Sequence, residues 1–560
     1  MQKIERSTVV LHFGILGLLL WLVLYPNLYV LIQSFNQGGN WSLANYREFF
    51  SNTSQLEALR NSILISLGSV LLSAVIGIPL AFIFNLYDFP AKRILAALAS
   101  LPVLLPPLVG VISFMFLYGE SGVLTRSLQH WLGLQEPPFS LKGVWAILFV
   151  HAYSMYVYFY LFVSAGLKRM DYSLVEASLS LGTSKIRTFF LVTLRLLTPA
   201  LIGASLLTFM TSMASFSAPY IFGGGVRVLA LQIFNSKLNG DIEMALVETV
   251  VLTLTSILFL FLLQHYEGTG KYRSAGKGVQ RPVRSVQSPA LRIFLGGAAI
   301  ALVLFLLLPH LTLILISFSR DGTWTTEILP PQYTSENYLR LFSSSQFLEP
   351  ILNSLEMAAL ATLGNLVLAL LAGYLLVRKK IAGRVWLNAL ILLPWALPGT
   401  VLGLSLATTF SQYRPLQGRV VLVGTFWILP LAYFIRNIPV VVRAVQASFE
   451  QFDPALEEAA RSLGGTWLYS FCRVVLPMVL PGALAGSLLA FVTALGEFVT
   501  SIVIYTIHNR PISIEILAQL RQFNFGSAAA YGVFLISMIA FIFLISEKYL
   551  ADRAGPGVAS

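Results

Sequence analysis

The chain has 560 residues, of which 56% are hydrophobic and only 11% are charged, and its mean hydropathy is +0.77. Soluble domains carry about 25% charged residues, so this composition excludes a soluble globular protein and indicates an integral membrane protein. The net charge of +12 is compatible with a nucleic-acid partner, but the placement of the basic residues along the chain explains it differently.

Twelve apolar stretches are long enough to cross a bilayer, which takes about 20 residues each. They lie at approximately 8–34, 61–86, 94–118, 144–167, 196–222, 246–265, 292–318, 351–377, 386–411, 420–442, 478–506 and 528–547. The first stretch is too long for a cleaved signal peptide, so we interpret it as a retained span. The sequence therefore predicts an all-α membrane protein with twelve transmembrane helices.

The basic residues predict which side of the membrane each loop occupies. An even number of spans places both termini on one side, and most of the 37 Lys and Arg residues fall in the loops of that side. Cytoplasmic loops carry the excess of Lys and Arg, so we expect both termini in the cytoplasm. The basic excess then reflects topology, and we expect no nucleic-acid partner.

The two halves of the chain repeat each other. Matching pairs are Asn61 and Asn353, Pro102 and Pro394, and Pro106 and Pro398, each separated by 292 positions. Both halves contain six spans and begin on the same side, so they are parallel repeats related by an axis along the membrane normal. We place the first repeat at 1–266 and the second at 292–560. The Gly- and Lys/Arg-rich segment 267–291 between them has the composition of a flexible cytoplasmic linker.

A polar segment, 453–481, interrupts the apolar sequence of the second repeat. Asp453 is a good N-cap, Pro454 suits the first helical position, and Gly464 can adopt the left-handed turn that ends a helix. The segment therefore predicts a short capped helix, a sharp bend and a second helix that enters the membrane.

The same construction occurs in the first repeat, at 171–199. Asp171, Glu176, Ala177, Gly182 and Pro199 match Asp453, Glu458, Ala459, Gly464 and Pro481, and each pair is separated by 282 positions. A helix, bend and proline that recur together are difficult to explain as a simple connecting turn.

This segment resembles the EAA loop of binding-protein-dependent ABC importer permeases. Its pattern of Glu-Ala-Ala, Gly and Ile-x-Leu-Pro is matched in the second repeat by Glu458, Ala459, Ala460, Gly464, Leu476 and Pro477, with Val474 in place of the Ile as the one departure. The first repeat departs from the pattern, because Ser178 replaces the second Ala and Arg195 stands at the Pro position. Over nearly all of its length, the chain is similar to two permease domains of type I ABC importers fused together, as in ferric-iron and thiamine importers.

The resemblance implies partners. Two copies of an ABC ATPase subunit would each receive one EAA helix, and a periplasmic or lipid-anchored binding protein would deliver the solute. The chain has no phosphate-binding loop, since Gly270-Lys271 lacks both the upstream glycine and the following Ser or Thr. We therefore expect ATP and Mg on the partner ATPase, no cofactor or metal on this chain, and no enzymatic activity within it.

Several residues within the predicted spans are candidates for lining a translocation path. Two Leu-Pro-x-x-Leu-Pro sequences, with Pro102 and Pro106 and with Pro394 and Pro398, would break the third span of each repeat. A pore gate and a packing kink both explain these prolines. His151 lies in a tyrosine-rich span, where it either lines the path or is an interior histidine with its hydrogen bonds satisfied.

Glu497 is the most distinctive polar residue of the spans. A carboxylate at membrane depth is costly and normally faces a cavity or a partner. Ser215 stands at the corresponding position of the first repeat, so the path would be asymmetric, which suits a cationic solute or a gate held by hydrogen bonds better than an anionic solute. The alternative is that Glu497 lies near the outer end of its span and reaches water or Arg510.

Three functions compete on this sequence. An ABC importer permease explains the repeated EAA loop, with ferric iron as the first choice of solute and thiamine, polyamine or an inorganic anion as alternatives. An ion-coupled secondary transporter also uses repeats of six spans, but it predicts paired charges within them. A membrane scaffold without transport activity gives no reason for the repeated loop.

Overall fold

The computed structural model describes residues 6–269, 284–285, 288–324, 327–379, 382–413 and 420–553. Ten of its helices are long and apolar enough to cross a membrane, and two further pairs of bent helices bring the number to twelve. The prediction of an all-α membrane protein with up to twelve spans is therefore confirmed.

The six spans of the first repeat are numbered in chain order. They are span 1 at Thr8–Gln33, span 2 at Thr53–Leu86, span 3 at Lys92–Ala99 and Pro107–Tyr118, span 4 at Gly143–Arg169, span 5 at Lys185–Leu196 and Thr198–Met213, and span 6 at Ile242–Leu263. Span 3 is interrupted by a short 3-10 helix, Leu101–Leu104, and the two parts of span 5 meet at 67°.

The second repeat follows the same order. Its spans are span 7 at Arg292–Ser317, span 8 at Ser345–Arg378, span 9 at Arg384–Ala396 and Gly399–Thr409, span 10 at Ile428–Gln451, span 11 at Phe471–Leu495, and span 12 at Phe525–Ile545. The two parts of span 9 meet at 108°. The Leu-Pro-x-x-Leu-Pro sequences thus lie at helix breaks in both repeats.

Shorter helices and two pairs of short strands connect the spans. The helices are Ala44–Ser51, Val123–Trp131, Ser173–Ser180, Ser217–Phe222, Leu229–Leu238, Glu336–Ser343, Pro454–Ser462, Trp467–Ser470, Val499–Ile504 and Ile512–Arg521. Asn36–Gln37 pairs antiparallel with Asn40–Trp41, and Tyr87–Asp88 pairs parallel with Arg284–Ser285. Most of the predicted linker lies outside the described residues, but its Arg284–Ser285 strand pairs with the end of span 2 rather than hanging free.

The two repeats exchange their first spans. Span 1 packs against the second part of span 9, and span 7 packs against the second part of span 3. Asn27 in span 1 accepts a hydrogen bond from Ser405 in span 9 at 3.4 Å, and Tyr153 in span 4 donates one to the Leu306 carbonyl in span 7 at 2.6 Å. Each repeat therefore completes the packing of the other.

Corresponding contacts hold each repeat together. The amide of Asn61 donates to the Arg227 carbonyl at 3.1 Å, and the amide of Asn353 donates to the Arg510 carbonyl at 3.2 Å. One contact differs: Gln55 bonds Glu248 at 2.7 Å in the first repeat, whereas stacked Phe347 and Tyr531 occupy the equivalent positions in the second. The duplicated fold therefore tolerates either a polar or an aromatic pair at this position.

Two predicted span boundaries are wrong in the same way. The helices of spans 5 and 11 end at Met213 and Leu495, and a short helix follows each break, at Ser217–Phe222 and Val499–Ile504. Hydropathy extends through both breaks because the residues on either side are apolar. The breaks place Ser215 and Glu497 in non-helical chain between two helices.

Candidate functional site

Two segments at the ends of spans 4 and 10 form what we call coupling loop 1, residues 171–199, and coupling loop 2, residues 453–481. In coupling loop 2 the Asp453 carboxylate accepts a hydrogen bond from the Ala455 backbone at 2.9 Å and caps the helix Pro454–Ser462. In coupling loop 1 the Asp171 carboxylate accepts one from the Ser173 backbone at 3.1 Å, ahead of the helix Ser173–Ser180. The predicted short capped helices are therefore present.

Both helices end at a glycine with left-handed backbone. Gly182 has φ +82° and Gly464 has φ +88°, and a Cβ atom built on either would meet nothing within 4 Å. The glycines are therefore required by backbone conformation and not by crowding, since side-chain-bearing residues rarely adopt this region. Each fixes the bend between its short helix and the next one.

The two loops share an unusual segment beyond the bend. Phe189–Thr193 and Phe471–Val475 are both π-helical, and they correspond residue for residue between the repeats. The turn before each is capped alike: Ser184 Oγ accepts from the Arg187 backbone at 3.4 Å, and Thr466 Oγ1 accepts from the Tyr469 backbone at 3.3 Å. The short helices are thus held in the same way on spans 5 and 11.

The predicted coupling residues lie on the exposed sides of these helices. Glu176, Ala177 and Gly182 are exposed in coupling loop 1. Glu458, Ala459 and Gly464 are exposed in coupling loop 2, and Ala460 is half-buried. Coupling loop 1 departs from the motif at Ser178, whose hydroxyl lies 3.1 Å from the Thr188 hydroxyl and links the short helix to the next one.

The structure adds four leucines to the site. Leu181 is 86% exposed and Leu463, at the corresponding position, is 91% exposed. Leu174 and Leu456 correspond in the same way and are both about half exposed. Leu456 and Leu463 stand at helical spacing in the sequence, and the structure shows both side chains exposed. Their recurrence at the 282-residue offset is the signal in the sequence that separates them from ordinary core positions.

The repeats meet at a second place, where the breaks of spans 5 and 11 come together. Phe216 and Phe498 are buried, and their ring centroids lie 5.8 Å apart in an edge-to-face contact. The two residues occupy equivalent positions, so a contact between them places both at the axis that relates the repeats. Pro106, at the break of span 3, is also close, because a Cβ atom on Gly496 would lie 3.1 Å from the Pro106 Cβ.

Glu497 lies beside this contact and is fully engaged. Its Oε2 is 2.7 Å from Nε of Arg436 in span 10, and its Oε1 accepts a hydrogen bond from the Thr500 backbone at 2.9 Å. Its side chain is 9% exposed, whereas that of Arg436 is 31% exposed. Arg510 pairs with Glu515 at 2.7 Å, so the alternative that Glu497 reaches Arg510 is wrong.

Ser215 and His151 form the corresponding cluster of the first repeat. His151 Nε2 lies 2.8 Å from the Ser215 hydroxyl, and its Nδ1 lies 2.9 Å from Ser69 and 3.2 Å from Ser212. His151 is 2% exposed. Both ring nitrogens are therefore satisfied, and an ion pair in one repeat faces a neutral hydrogen-bonded cluster in the other.

The prolines of the broken spans have different surroundings. Pro102 lies in the 3-10 turn of span 3. Pro394 lies two residues before the last residue of the helix Arg384–Ala396 and, with Pro398, at the 108° bend of span 9. Gly399, next to Pro398, lies against the ion pair, because a Cβ atom there would be 3.0 Å from the Arg436 guanidinium. The break of span 9 therefore packs on the Glu497 cluster.

Two cations cross between the repeats near the same axis. The Lys237 ammonium donates a hydrogen bond to the Val503 carbonyl at the end of the short helix after span 11. Arg521 donates from Nε to the Tyr220 hydroxyl at 3.0 Å, in the short helix after span 5, and lies over the tyrosine ring at 5.4 Å. The two contacts join corresponding pairs of helices in opposite directions, although the residues that make them do not correspond in the repeat.

A comparison with protein families matches residues 73–267 and 365–554 to the family described as binding-protein-dependent transport system inner membrane component. The chain belongs to this family. It is the permease of an ABC importer, with two permease domains in one polypeptide, and it is a multi-pass membrane protein. The prediction made from the EAA loops is confirmed.

Two relatives match most of the chain, and a third matches about half of it. The permease is 29% identical to a probable ABC transporter permease protein, y4fN, of Sinorhizobium fredii, over 89% of this chain and 88% of the relative. It is 25% identical to the ferric transport system permease protein FbpB of Actinobacillus pleuropneumoniae, over 99% of this chain and 80% of the relative. The sulfate transport system permease protein CysT of Escherichia coli is 33% identical over 48% of this chain and 94% of the relative.

Within the described residues, the permease has no group of three or more His, Cys, Asp and Glu side chains arranged to hold a metal ion. The buried acids Glu497 and Glu515 each face an arginine. The polar groups near the axis are therefore arranged in pairs and hydrogen-bonded clusters.

Proposed function

We propose that this permease imports its solute across the inner membrane from a binding protein, driven by two ATPase subunits that dock on coupling loops 1 and 2. The observation that carries the proposal is the pair of matching loops, each with a capped helix, a left-handed glycine and exposed leucines at the same positions. A buried leucine at an interface contributes about 2 kcal/mol, so two leucines on each loop form an apolar anchor.

The coupling residues would act as a lever. Glu176 and Glu458 offer a charge to the ATPase, while Ala177, Ala459 and Ala460 keep the helix thin enough to enter a groove. Gly182 and Gly464 fix the angle to spans 5 and 11, so movement of a docked helix is transmitted to the breaks at Ser215 and Glu497. ATP and Mg would be bound by the ATPase pair, with no cofactor on the permease.

The orientation follows from charge. The loops on the side of the coupling loops carry the excess of Lys and Arg, which supports an orientation with these loops and both termini in the cytoplasm. The binding protein, periplasmic or lipid-anchored, would then meet the opposite end, near Lys237 and Arg521. The repeats, 1–266 and 292–560, would be joined by the cytoplasmic linker 267–291.

The translocation path would run along the axis between the repeats. Phe216 and Phe498 close it in this structure, and the broken spans that bear Pro102, Pro106, Pro394 and Pro398 supply backbone that can rearrange around it. Glu497, Ser215 and His151 would act as neighbouring elements that hold the breaks in place. The sequence suggested that Glu497 offers a free carboxylate to a cation, but its pairing with Arg436 removes that argument.

For the solute we propose ferric iron, because the relative that covers nearly the whole chain is named as a ferric transport permease. A sulfate-type oxyanion is the second candidate. It is favoured by Lys237 and Arg521 near the axis and by the neutralised Glu497. Thiamine and polyamine remain expectations of the sequence without a structural observation in their favour.

The function is tested by measuring uptake in cells whose permease gene is deleted and whose partner genes remain on the chromosome. The cells are compared with and without the permease supplied on a plasmid. Radiolabelled ferric iron and radiolabelled sulfate should be compared in parallel, with the Gly182→Val and Gly464→Val double variant as the control for coupling. Restoration of ferric-iron uptake alone supports the first candidate, and restoration of sulfate uptake alone supports the second. If the double variant takes up both solutes as fast as wild type does, ATP-coupled import through these loops is contradicted.

A further inference from the structure

A cavity of about 490 Å³ opens at the coupling-loop end of the first repeat, between spans 2, 3 and 4. We call it the basic pocket. Three cations line it: Lys92 and Arg93 from the start of span 3 and Lys168 from the end of span 4. Lys92 lies within electrostatic reach of Lys168 and of the Asp88 carboxylate.

The cations of the basic pocket outnumber the carboxylates near them, because Asp88 is the acid that interacts with Lys92 within the described residues. Among the described residues, none of Lys92, Arg93 and Lys168 forms an ion pair within 4 Å. The neutral polar groups of the pocket already have partners: Asn85 donates to Ser164 at 2.8 Å and to the Ala81 carbonyl at 2.7 Å. Three cations with one carboxylate nearby leave an excess of positive charge, which is unfavourable, so the pocket is suited to receive a further anion from outside.

The second repeat shows that the cavity is not a requirement of the fold. Leu86, at the end of span 2, lines the pocket in the first repeat, and Arg378 stands at the corresponding position in the second. Arg378 donates to the Phe452 carbonyl at 2.9 Å and lies 4.8 Å from the centre of the Phe452 ring. Glu450 replaces Lys168, so an acid stands where the first repeat has a third cation.

The wall of the basic pocket is apolar on the side toward the middle of the membrane. Leu161, Leu167 and Phe84 line it, and Leu161 is 42% exposed on the outer surface of span 4. A ligand that fits must therefore combine an anionic end with an apolar body. A phospholipid combines both features, whereas free phosphate has no apolar part that could contact this wall.

We propose that the basic pocket binds the phosphate headgroup of an anionic phospholipid in the leaflet that faces the coupling loops, with an acyl chain along Leu161. Basic pockets between transmembrane helices on the cytoplasmic side are suited to anionic headgroups. The bound lipid fills the space between spans 2 and 4 that Arg378 fills in the second repeat. This lipid site is separate from the transport function. Only the choice of leaflet rests on the orientation given under the proposed function.

The test is native mass spectrometry of the full-length permease, delipidated in detergent and titrated with phosphatidylglycerol or phosphatidylcholine. Wild type should retain one phosphatidylglycerol in preference to phosphatidylcholine. The Lys92→Gln and Lys168→Gln double variant should bind it roughly thirtyfold more weakly, because each cation near an anionic headgroup contributes on the order of a fivefold effect. The Lys92→Arg and Lys168→Arg double variant should bind it normally.

Two controls separate this site from general charge attraction. The Lys379→Gln and Arg384→Gln double variant removes the same charge from the second repeat and should leave the tight lipid in place. The Leu86→Arg variant should displace that lipid, because its side chain would occupy the space that Arg378 occupies in the second repeat. The melting temperature of this variant shows whether the chain is folded. The proposal would be overturned if the Gln variants of both repeats lost phosphatidylglycerol equally, or if the Leu86→Arg variant retained it. It would also be overturned if millimolar inorganic phosphate competed for the pocket as well as the lipid does. Because no uptake is measured, these outcomes are independent of the solute.

Discussion

Phe216 and Phe498 touch edge to face, with 5.8 Å between their ring centroids, although 282 residues separate them in the chain. A residue and its repeat equivalent can meet only at the axis between the repeats, so this contact marks the centre of the molecule. Both rings are almost completely buried. In this structure the axis is therefore closed by one aromatic residue from each repeat.

The first prediction concerns this closure. Phe498→Ala removes one ring and leaves a cavity on the axis, so we expect liposomes that contain the variant to leak small ions several-fold faster than those with wild type. The measurement is the decay of an ion gradient reported by a fluorescent indicator, without any ATPase. Phe449→Ala is the matched control, since Phe449 in span 10 is equally buried but packs beside Tyr374 of span 8. Equal leak rates for wild type and Phe498→Ala would remove Phe498 from the closure.

The second prediction concerns the bend of coupling loop 2. Gly464 has φ +88° with free space around its missing Cβ, so only backbone strain opposes substitution. A β-branched residue in the left-handed region costs roughly 1–2 kcal/mol or more, whereas Asn tolerates it. We expect Gly464→Val to lower ATP-driven uptake strongly at normal abundance and Gly464→Asn to keep most of it. Similar uptake by the two variants would argue against the bend as the transmitting element.

The third prediction concerns the exposed leucines. Leu463→Asp should leave the melting temperature unchanged, because the side chain is 91% exposed and touches little of the chain. The affinity for the ATPase should fall by roughly thirtyfold, from the loss of about 2 kcal/mol of apolar burial. Pull-down titration of the ATPase measures this. Leu339→Asp, at an exposed leucine far from the coupling loops, should bind the ATPase normally, and an equal loss in that control would point to a general surface effect.

The fourth prediction concerns the ion pair of the second repeat. Glu497→Gln leaves Arg436 without its carboxylate partner in a largely buried position, so we expect a loss of about 2 kcal/mol of stability, less than for a fully buried pair because Arg436 is partly exposed. The Glu497→Gln and Arg436→Met double variant should regain most of it. Thermal unfolding in detergent follows both. If the double variant loses as much stability as Glu497→Gln and Arg436→Met lose together when measured singly, the two side chains are not coupled.

The sequence predicted the helices and the coupling loops well because both depend on local signals. Hydropathy finds spans, and the pattern of Asp453 and Gly464 specifies a capped helix and its end without any knowledge of the tertiary structure. The repeat offset then transferred these assignments to Asp171 and Gly182, where the motif itself is weaker. The family comparison matches both repeats to the same permease family.

The surroundings of Glu497 could not be predicted in the same way. Its partner Arg436 is 61 positions away in another span, and only the packing of span 10 on span 11 brings them together. Gly496 ends the helix just before Glu497, but the apolar residues on both sides hide the break from hydropathy. The cavity beside Lys92 depends likewise on Leu86 standing where the other repeat has Arg378, a difference that matters only once the helices are assembled.

The central claim is that one polypeptide supplies both docking sites for an ATPase pair. The most direct measurement is the mass of the complex formed by the purified permease and a co-expressed ABC ATPase from the same genome, with ATP hydrolysis assayed on the same samples. The account predicts one permease with two ATPase subunits for wild type, one ATPase for the Leu463→Asp variant, and no hydrolysis by the permease alone. A complex with two permease chains per ATPase pair, or two ATPases retained by the Leu181→Asp and Leu463→Asp double variant, would contradict it.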